Sequence, residues 1–390
     1  MSDIIEVSFY NLKKDKEVVP GDTFLVNKTP EGNFVATLAD GMGSGVKANV
    51  LSQLTASMAQ KFMIANSDIK HMAQTIMETL PVCSYREVSY STITSMDITE
   101  SGFVKLMEYD NPETLWFRNG SFLPREREKC FIKTSHSRNK VYYSELQMEL
   151  GDRLISFSDG VTQAGIGSKD YPFGLKMDSV KAFISNLITE DTAISGQELA
   201  KLVVEKAASV DMDMPKDDIT CSVVYYRKSR NTLLITGPPY ERDKCEYMVD
   251  RFKGFSGRKI IAGGTTSQII ADGLGEELSV DMNDLGSDIP PRALMAGADL
   301  VTEGMLTINE LINILKSEDV KNIKDINAAY RMAQIFLDSD KIYMLIGTAV
   351  NEAHQNPNMP VEMGLRRISV NNLAKILRTK YLKEVEIEYV

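Results

Sequence analysis

The sequence predicts an α/β protein in two parts: an α/β sandwich of antiparallel strands enclosing a few helices, then a mostly parallel, doubly wound sheet. Three observations predict it. The chain has 390 residues, 43% apolar and 25% charged. That is near the globular average and enough for two domains at roughly 100–200 residues each. In the first half, short apolar segments follow one another at hairpin spacings, with helical stretches between them. In the second half, strand and helix segments alternate, the order of a parallel sheet with crossover helices.

Residues 4–14 (IIEVSFYNLKK) alternate as a strand does, and 23–40 hold two apolar runs around Pro30-Glu31-Gly32-Asn33, a hairpin signal. After Gly45, residues Val46, Val50, Leu51, Leu54, Met58 and Phe62 recur at three- and four-residue steps, the stripe of an amphipathic helix. A second helix is expected over 68–80, ending at Pro81. Segments 92–98, 103–109, 114–120 and 140–146 read as short strands. Residues 153–164 begin as an apolar strand that breaks at Ser158-Asp159-Gly160; helices fit 176–189 and 195–210, and 218–227 closes as a strand. The polar junction Lys228-Ser229-Arg230-Asn231 changes the rhythm and places a boundary near 229, giving domains 1–229 and 230–390. Beyond it, strands at 232–237, 258–264, 298–304, 341–350 and 384–390 are interleaved with helices at 241–252, 266–272, 308–316, 325–338 and 370–380, a Rossmann-like order.

Charge and cysteine usage narrow the function. With 54 acidic and 44 basic residues the net charge is −10, which argues against a nucleic-acid binder, since that needs a basic field. Such a chain also repels phosphorylated substrates at long range, so handling phosphate calls for local cations, and metals are the expected ones. Cys83, Cys130, Cys221 and Cys245 contain no C-x-x-C pair, and His71, His136 and His354 lie far apart. Both facts argue against a structural zinc site, and few cysteines fit a reducing cytoplasm. The N-terminus has no signal-peptide core and no stretch reaches the roughly 18 apolar residues of a membrane span. The expectation is a cytoplasmic protein without membrane or nucleic-acid partners.

Acidic residues in the first half share one setting. Asp22 follows Gly21 and precedes a strand; Asp40 ends a strand in Asp40-Gly41-Met42-Gly43-Ser44-Gly45, directly before the amphipathic helix. Asp159 ends another strand, and Asp217-Asp218 open the last one of this half. Carboxylates at strand ends can converge on one rim of a sandwich, where hard divalent cations take oxygen ligands. Each Asp-Gly taken alone also reads as an ordinary turn.

In order and context these pieces resemble the metal-dependent, type 2C-like serine/threonine protein phosphatases, specifically the bacterial SpoIIE-type branch. The matching pieces are Gly21-Asp22, DGMGSG at 40–45, SDG at 158–160 and DDIT at 217–220, within residues 5–228. The resemblance implies a type 2C phosphatase-like α/β sandwich of two antiparallel sheets flanked by helices. It implies two Mn²⁺ or Mg²⁺ ions bridged by Asp40, with the carbonyl of Gly41, and with Asp22, Asp159 and Asp217 as further ligands, directly or through water. Asp40, Asp159 and Asp217 form the implied catalytic set, and Asp218 has a secondary role. Two such cations lower the pKa of a bridging water and clamp phosphoryl oxygens, so no covalent enzyme intermediate is needed. The implied substrate is a phosphoserine or phosphothreonine protein, such as an anti-sigma-factor antagonist or similar regulator; dimerisation is left open.

One position departs from the wider family. Eukaryotic type 2C relatives often carry a histidine after the Asp-Gly, a proton donor to the leaving group; here Met42 cannot donate a proton. The helices at about 46–64 and 70–80 read as plain core, or, by the resemblance, as a switch that orders a metal site when a regulator binds.

No family is recognised for the second half. Its strand-to-helix turn at Gly263, Gly264, Thr265 and Thr266 is neither a P-loop nor a G-x-G-x-x-G. It reads as a tight turn or, with Gly237-Pro238-Pro239 beside it, as an anion site at a helix N-terminus. Three functions are therefore carried forward: a metal-dependent phosphoprotein phosphatase, a catalytically silent binding module on the same fold, and an enzyme in the second half using Asp299 and Glu303.

Overall fold

The structure, a computed structural model, describes residues 3–80, 91–133, 138–241, 243–280, 292–317, 327–349, 361–381 and 383–390. Pro81, the expected end of the second helix, and Cys83, His136 and His354 lie outside them, as do the first two residues of the helix expected at 325–338. The chain folds as two compact units, Ser2–Lys228 and Ser229–Val390.

The first unit runs β1 (Asp3–Leu12), β2 (Asp22–Lys28), β3 (Phe34–Asp40), α1 (Gly45–Ile64), α2 (Ile69–Thr79), β4 (Ile93–Ile98), β5 (Phe103–Tyr109), β6 (Leu115–Arg118), β7 (Ser121–Leu123), β8 (Glu128–Lys133), β9 (Arg138–Gln147), β10 (Arg153–Phe157), α3 (Asp159–Gln163), α4 (Met177–Glu190), α5 (Gly196–Val210) and β11 (Ile219–Lys228). A five-stranded sheet has the order β1-β11-β10-β6-β7 and a six-stranded sheet the order β2-β3-β4-β5-β9-β8. The neighbouring strands in both sheets are antiparallel.

The two inner faces share a core that includes Ile5, Ala36, Met96, Leu106, Leu154 and Val224. The outer face of the six-stranded sheet packs on α1 and α2 through Val35, Ala59, Met72, Ile76 and Met107. The outer face of the five-stranded sheet packs on α3, α4 and α5 through Phe157, Val161, Ile184, Val203 and Val223. A strand covered on both faces buries both sets of side chains. That is why β3 reads FVATLAD, with Val35 toward the helices and Ala36 toward the opposite sheet.

Helix α1 corrects the sequence reading. Its buried face is mostly small or polar: Ala48, Leu51, Ser52, Thr55, Ala56, Ala59, Gln60 and Met63. Of the expected apolar stripe only Leu51 is buried, while Val46, Val50 and Leu54 are exposed. Small residues let the helix backbone approach the sheet more closely than a leucine face would, so side-chain volume rather than hydropathy orients it.

The second unit runs β12 (Asn231–Thr236), α6 (Lys244–Gly254), β13 (Arg258–Ala262), α7 (Gly264–Leu274), β14 (Ser279–Val280), β15 (Ala293–Leu294), β16 (Leu300–Thr302), α8 (Met305–Lys316), α9 (Ala328–Asp338), β17 (Lys341–Ile346), α10 (Val361–Thr379) and β18 (Glu384–Tyr389). Its sheet has the order β14-β15-β16-β13-β12-β17-β18. The strands from β16 to β18 are parallel, and β14 and β15 add an antiparallel edge. One face packs on α6 and α7 through Met248, Phe252 and Ile270. The other packs on α8, α9 and α10 through Leu311, Met332, Phe336 and Leu373. Four short strands, β7, β8, β14 and β15, are absent from the sequence reading, and α10 begins nine residues before its expected start at 370. Among the described residues no helix is long and apolar enough to cross a membrane.

A buried ionic knot joins the sheets of the first unit. The Glu108 side chain on β5 is 1% exposed and accepts hydrogen bonds from Thr114 N (2.7 Å), Arg125 Nη2 (2.7 Å) and Arg127 Nε (3.1 Å). Thr114, just ahead of β6 in the other sheet, reaches Ser156 of β10 through its hydroxyl at 3.0 Å. Removing one partner of such a knot leaves its buried counter-charge unpaired, at a cost of about 3–5 kcal/mol. Glu108→Ala should therefore lower Tm on the order of 10 °C for a unit of this size. Thermal unfolding that is unchanged within 2 °C, itself under about 1 kcal/mol, would show that the knot does not hold the sheets together.

Candidate functional site

The acidic residues singled out in the sequence meet where strand ends of the two sheets of the first unit come together. Asp22 and Asp40 sit directly opposite each other in the β2–β3 register. Side chains so placed have Cβ atoms about 4.5–5.5 Å apart, and like charges there repel. Asp159 follows β10 and opens α3, while Asp217 and Asp218 immediately precede β11. β10 and β11 are themselves paired.

Asp218 is what ties these ends together. Its carboxylate is buried and accepts from Gly21 N at 2.8 Å and from Lys14 N at 3.0 Å. Both its oxygens are thus engaged with backbone amides of the loop that leads into β2. Its part is to place Asp22 relative to Asp159. Asp217 accepts from Asp218 N at 3.0 Å, and Asp159 accepts from the Gln163 side chain one turn along α3.

Three glycines let these segments approach. A Cβ on Gly41 would lie 2.0 Å from the carbonyl oxygen of Ala48 in α1, and one on Gly160 would lie 2.1 Å from the carbonyl oxygen of Asp218. A Cβ on Gly21 would lie 2.8 Å from a carboxylate oxygen of Asp218 and 3.7 Å from the carbonyl oxygen of Gly41. Hydrogen bonds fix the Asp40 backbone as well: Asp40 N donates to Thr92 Oγ1 (3.1 Å), and its carbonyl accepts from Thr92 N and Ser91 Oγ (2.9 Å each). Met42 is half-buried beside them.

The electrostatics favour a cation. Burial, then the charges of Asp22, Asp159, Asp217 and Asp218, push the Asp40 carboxyl up to about 10. Burial pushes Asp22 up to about 7, with Asp218 and Asp159 adding to the rise while the Thr220 and Ser158 hydroxyls oppose it. Asp159 and Asp217 are raised as well, chiefly by burial; the Asp217 charge adds to the rise at Asp159, and Lys14 offsets part of the rise at Asp217. Both Asp22 oxygens are buried with no hydrogen-bond partner of normal geometry, as is the Thr220 hydroxyl.

Clustered carboxyls raised in this way, with both Asp22 oxygens unpartnered, fit a hard divalent ion. Asp22, Asp40, Asp159, Asp217 and the carbonyl of Gly41 are the groups that would hold it. Among the described residues, no three His, Cys, Asp or Glu side chains are already arranged to hold one ion. Holding an ion would therefore require the carboxylates to rearrange.

In the second unit, Gly263 caps α7 and Gly264, Thr265 and Thr266 open its first turn, while Gly237 follows the adjacent parallel strand, β12. These turns line one cleft at the carboxyl edge of the sheet. Asp299 and Glu303 do not converge, because they flank opposite ends of β16. Asp299 accepts from Lys259 N (2.7 Å) and Glu303 from Leu306 N (3.2 Å), which are bonds to local backbone.

A family model described as Stage II sporulation protein E (SpoIIE) matches residues 30–227. Stage II sporulation protein E of Bacillus subtilis (strain 168) is 24% identical over 217 residues, which is 55% of this chain and 24% of that protein. The protein of the same name from Priestia megaterium is 24% identical over 239 residues, 59% of this chain and 37% of its own. The chain thus spans about a quarter to a third of the length of these curated relatives. The solved structure of the PP2C phosphatase domain and a fragment of the regulatory domain of SpoIIE from Bacillus subtilis aligns with a TM-score of 0.45 at 20% identity, covering 58% of this chain and 64% of that one.

The raised carboxyls give the metal-free protein a defined pH response. A group whose folded pKa lies above its unfolded value, here 3.8, stabilises the fold at low pH. That contribution is lost as pH rises through the folded value, about 7 for Asp22 and about 10 for Asp40. In chelator, Tm should fall between pH 5 and pH 8. Asp22→Asn should flatten the fall and raise Tm at pH 8 by about 2–4 °C or more, equivalent to ~1 kcal/mol. The same slope in both proteins would remove Asp22 as its cause.

Proposed function

The chain belongs to the Stage II sporulation protein E (SpoIIE) family, and on that footing we propose that it is a metal-dependent serine/threonine phosphoprotein phosphatase with a regulatory role. The observation that carries the reading is the Asp22–Asp40 pair, opposed across one ladder, with the Asp22 oxygens buried and unpartnered. Asp22, Asp40, Asp159, Asp217 and the Gly41 carbonyl would hold two Mn²⁺ or Mg²⁺ ions, which when bound activate a water and offset phosphoryl charge. The protein's own part is positioning: Asp218 fixes the loop before β2, and Gly21, Gly41 and Gly160 permit the close approach of the strand ends. Met42 supplies no proton to the leaving serine or threonine oxygen, so solvent must do so and turnover should be slow. The substrate class is a phosphorylated protein, such as an anti-sigma-factor antagonist or a similar regulator.

The second unit, on this reading, is a Rossmann-like receptor domain, and residues 1–229 form a separable catalytic domain. The second reading, a catalytically silent binding module, is favoured by one observation: among the described residues no carboxylate trio is already arranged around one ion.

Two measurements separate the readings. Phosphate release from a phosphopeptide or a generic aryl phosphate should require Mn²⁺ or Mg²⁺ and stop in chelator. Asp40→Asn should lower the rate at least 100-fold, or about 2.7 kcal/mol of transition-state stabilisation, without lowering Tm. Full activity in Asp40→Asn would remove the assigned centre, and no activity in the parent under any divalent ion would favour the silent module. The fragment 1–229 should keep the metal-dependent activity of the full chain. An insoluble or inactive fragment beside an active full chain would count against a separable domain.

A further inference from the structure

We propose that the carboxyl edge of the second unit's sheet binds a phosphorylated small molecule of nucleotide size, with the Thr266 hydroxyl donating to its phosphoryl group. This does not rest on the phosphatase reading. The cleft there has a volume of about 630 Å³ and is lined from the ends of β12, β13 and β16 and from α10. That lies within the roughly 300–1,000 Å³ of small-molecule sites and exceeds what a bare phosphate ion fills.

The polar groups at this edge are left unsatisfied. Among the described residues of the unit, four buried side-chain polar atoms have no partner: Thr266 Oγ1, Thr302 Oγ1, Thr307 Oγ1 and Arg331 Nε. Three of the four cluster at the carboxyl ends of β13 and β16 and the helix starts that follow. Thr302 is paired with Ala262 in the ladder, and Gly263 N donates to its carbonyl at 2.9 Å. Thr266 itself is 1% exposed and lines the cleft. Its oxygen would be 3.2 Å from a Cβ on Gly263, so it lies beside the glycine that precedes α7. A buried hydroxyl without a partner costs free energy that a bound acceptor would recover.

Charge selects which helix end takes the anion. α8 already has one, since Glu303 lies against its first turn and accepts from Leu306 N at 3.2 Å. α7 has no acidic residue in its first turn and no side-chain cap. Its N-terminal dipole and amides favour an anion. The first residue of α7, Gly264, faces open space: a Cβ there would meet nothing within 4 Å. Across the cleft, Arg366 Nη1 is held by the carbonyls of Gly347 and Ala349 at 3.2 Å each, which places a guanidinium on the wall. Met305, Leu365 and Pro238 add apolar surface, and the Glu303 carboxylate suits a hydroxyl donor. An anionic head beside hydroxyls and a flat apolar body describes a nucleoside phosphate better than a free anion or an apolar ligand.

The test is calorimetric titration of the full chain, in chelator, with AMP, GMP, inorganic phosphate and adenosine. At least one nucleotide should bind with a Kd below about 1 mM, inorganic phosphate should compete with it, and adenosine should bind at least tenfold more weakly. Thr266→Val keeps the shape of the side chain and removes the hydroxyl. It should weaken nucleotide binding about tenfold or more while leaving Tm equal or higher. Gly264→Ala, which meets nothing in the fold, should weaken it as well, and Asp40→Asn in the first unit should leave it unchanged. No nucleotide binding, equal affinity for adenosine, full affinity in Thr266→Val, a lowered Tm in Thr266→Val, or loss of binding in Asp40→Asn would each overturn the proposal.

Discussion

Two aspartates facing each other across a single antiparallel ladder set the terms for the first unit. Asp22 and Asp40 could relieve their repulsion if either turned to solvent, but Asp22 is buried and Asp40 is half-buried opposite it. The remaining acidic residues raise the strain rather than relieve it. Within this acidic group, Asp218 has both oxygens engaged, on the backbone of Lys14 and Gly21, and so holds Asp22 in the unfavourable place. A fold shaped only for stability would put an asparagine or threonine at one of these positions. Concentrating negative charge inside a packed protein makes physical sense when something positive is meant to join it.

The two units solve the covering of a sheet differently, and each leaves several unsatisfied polar groups at strand ends. In the first, two antiparallel sheets face each other and helices cover both outer faces. In the second, one mostly parallel sheet carries helices on both faces. Within the sheets, buried polar side chains such as Thr37, Ser95, Glu108 and Ser156 are paired with one another or with neighbouring cations and backbone. Strand ends are where the ladder stops, where backbone amides of the following helices are unpaired, and where a glycine turn can open a gap. Asp22 and Thr220 in one unit, and Thr266 and Thr302 in the other, are unpartnered at such ends.

Much of this architecture was legible in the chain because strong local signals agreed. FVATLAD running into Asp40-Gly41 and a glycine-rich turn before a helix leaves few alternatives, and the polar run at 228–231 coincides with the change of rhythm. What stayed hidden depended on distance or size. The opposition of Asp22 and Asp40 appears only once the hairpin register is fixed, and the bonds of Asp218 join residues 197 and 204 positions apart. The orientation of α1 was misread because hydropathy ranks Val46, Val50 and Leu54 above Ala48, Thr55 and Ala56, whereas close packing prefers the small set. β8 does carry a signal, since Cys130 and Ile132 are buried between exposed Lys129, Phe131 and Lys133. Its charges masked the alternation. β14 and β15, at two residues each, have no pattern to read.

The contact between Gly41 and α1 has a mechanical consequence. Most helices rest on a sheet through side chains, which bend and change rotamer and so absorb small displacements. Here the helix backbone at Ala48 bears on the backbone of Gly41, with no side chain between them from the glycine. The fit between α1 and the residue beside Asp40 therefore has no flexible glycine side chain to absorb a change in spacing. A shift of the helix at Ala48 would thus be felt one peptide bond from Asp40, whose carboxyl is raised by burial and neighbouring charge.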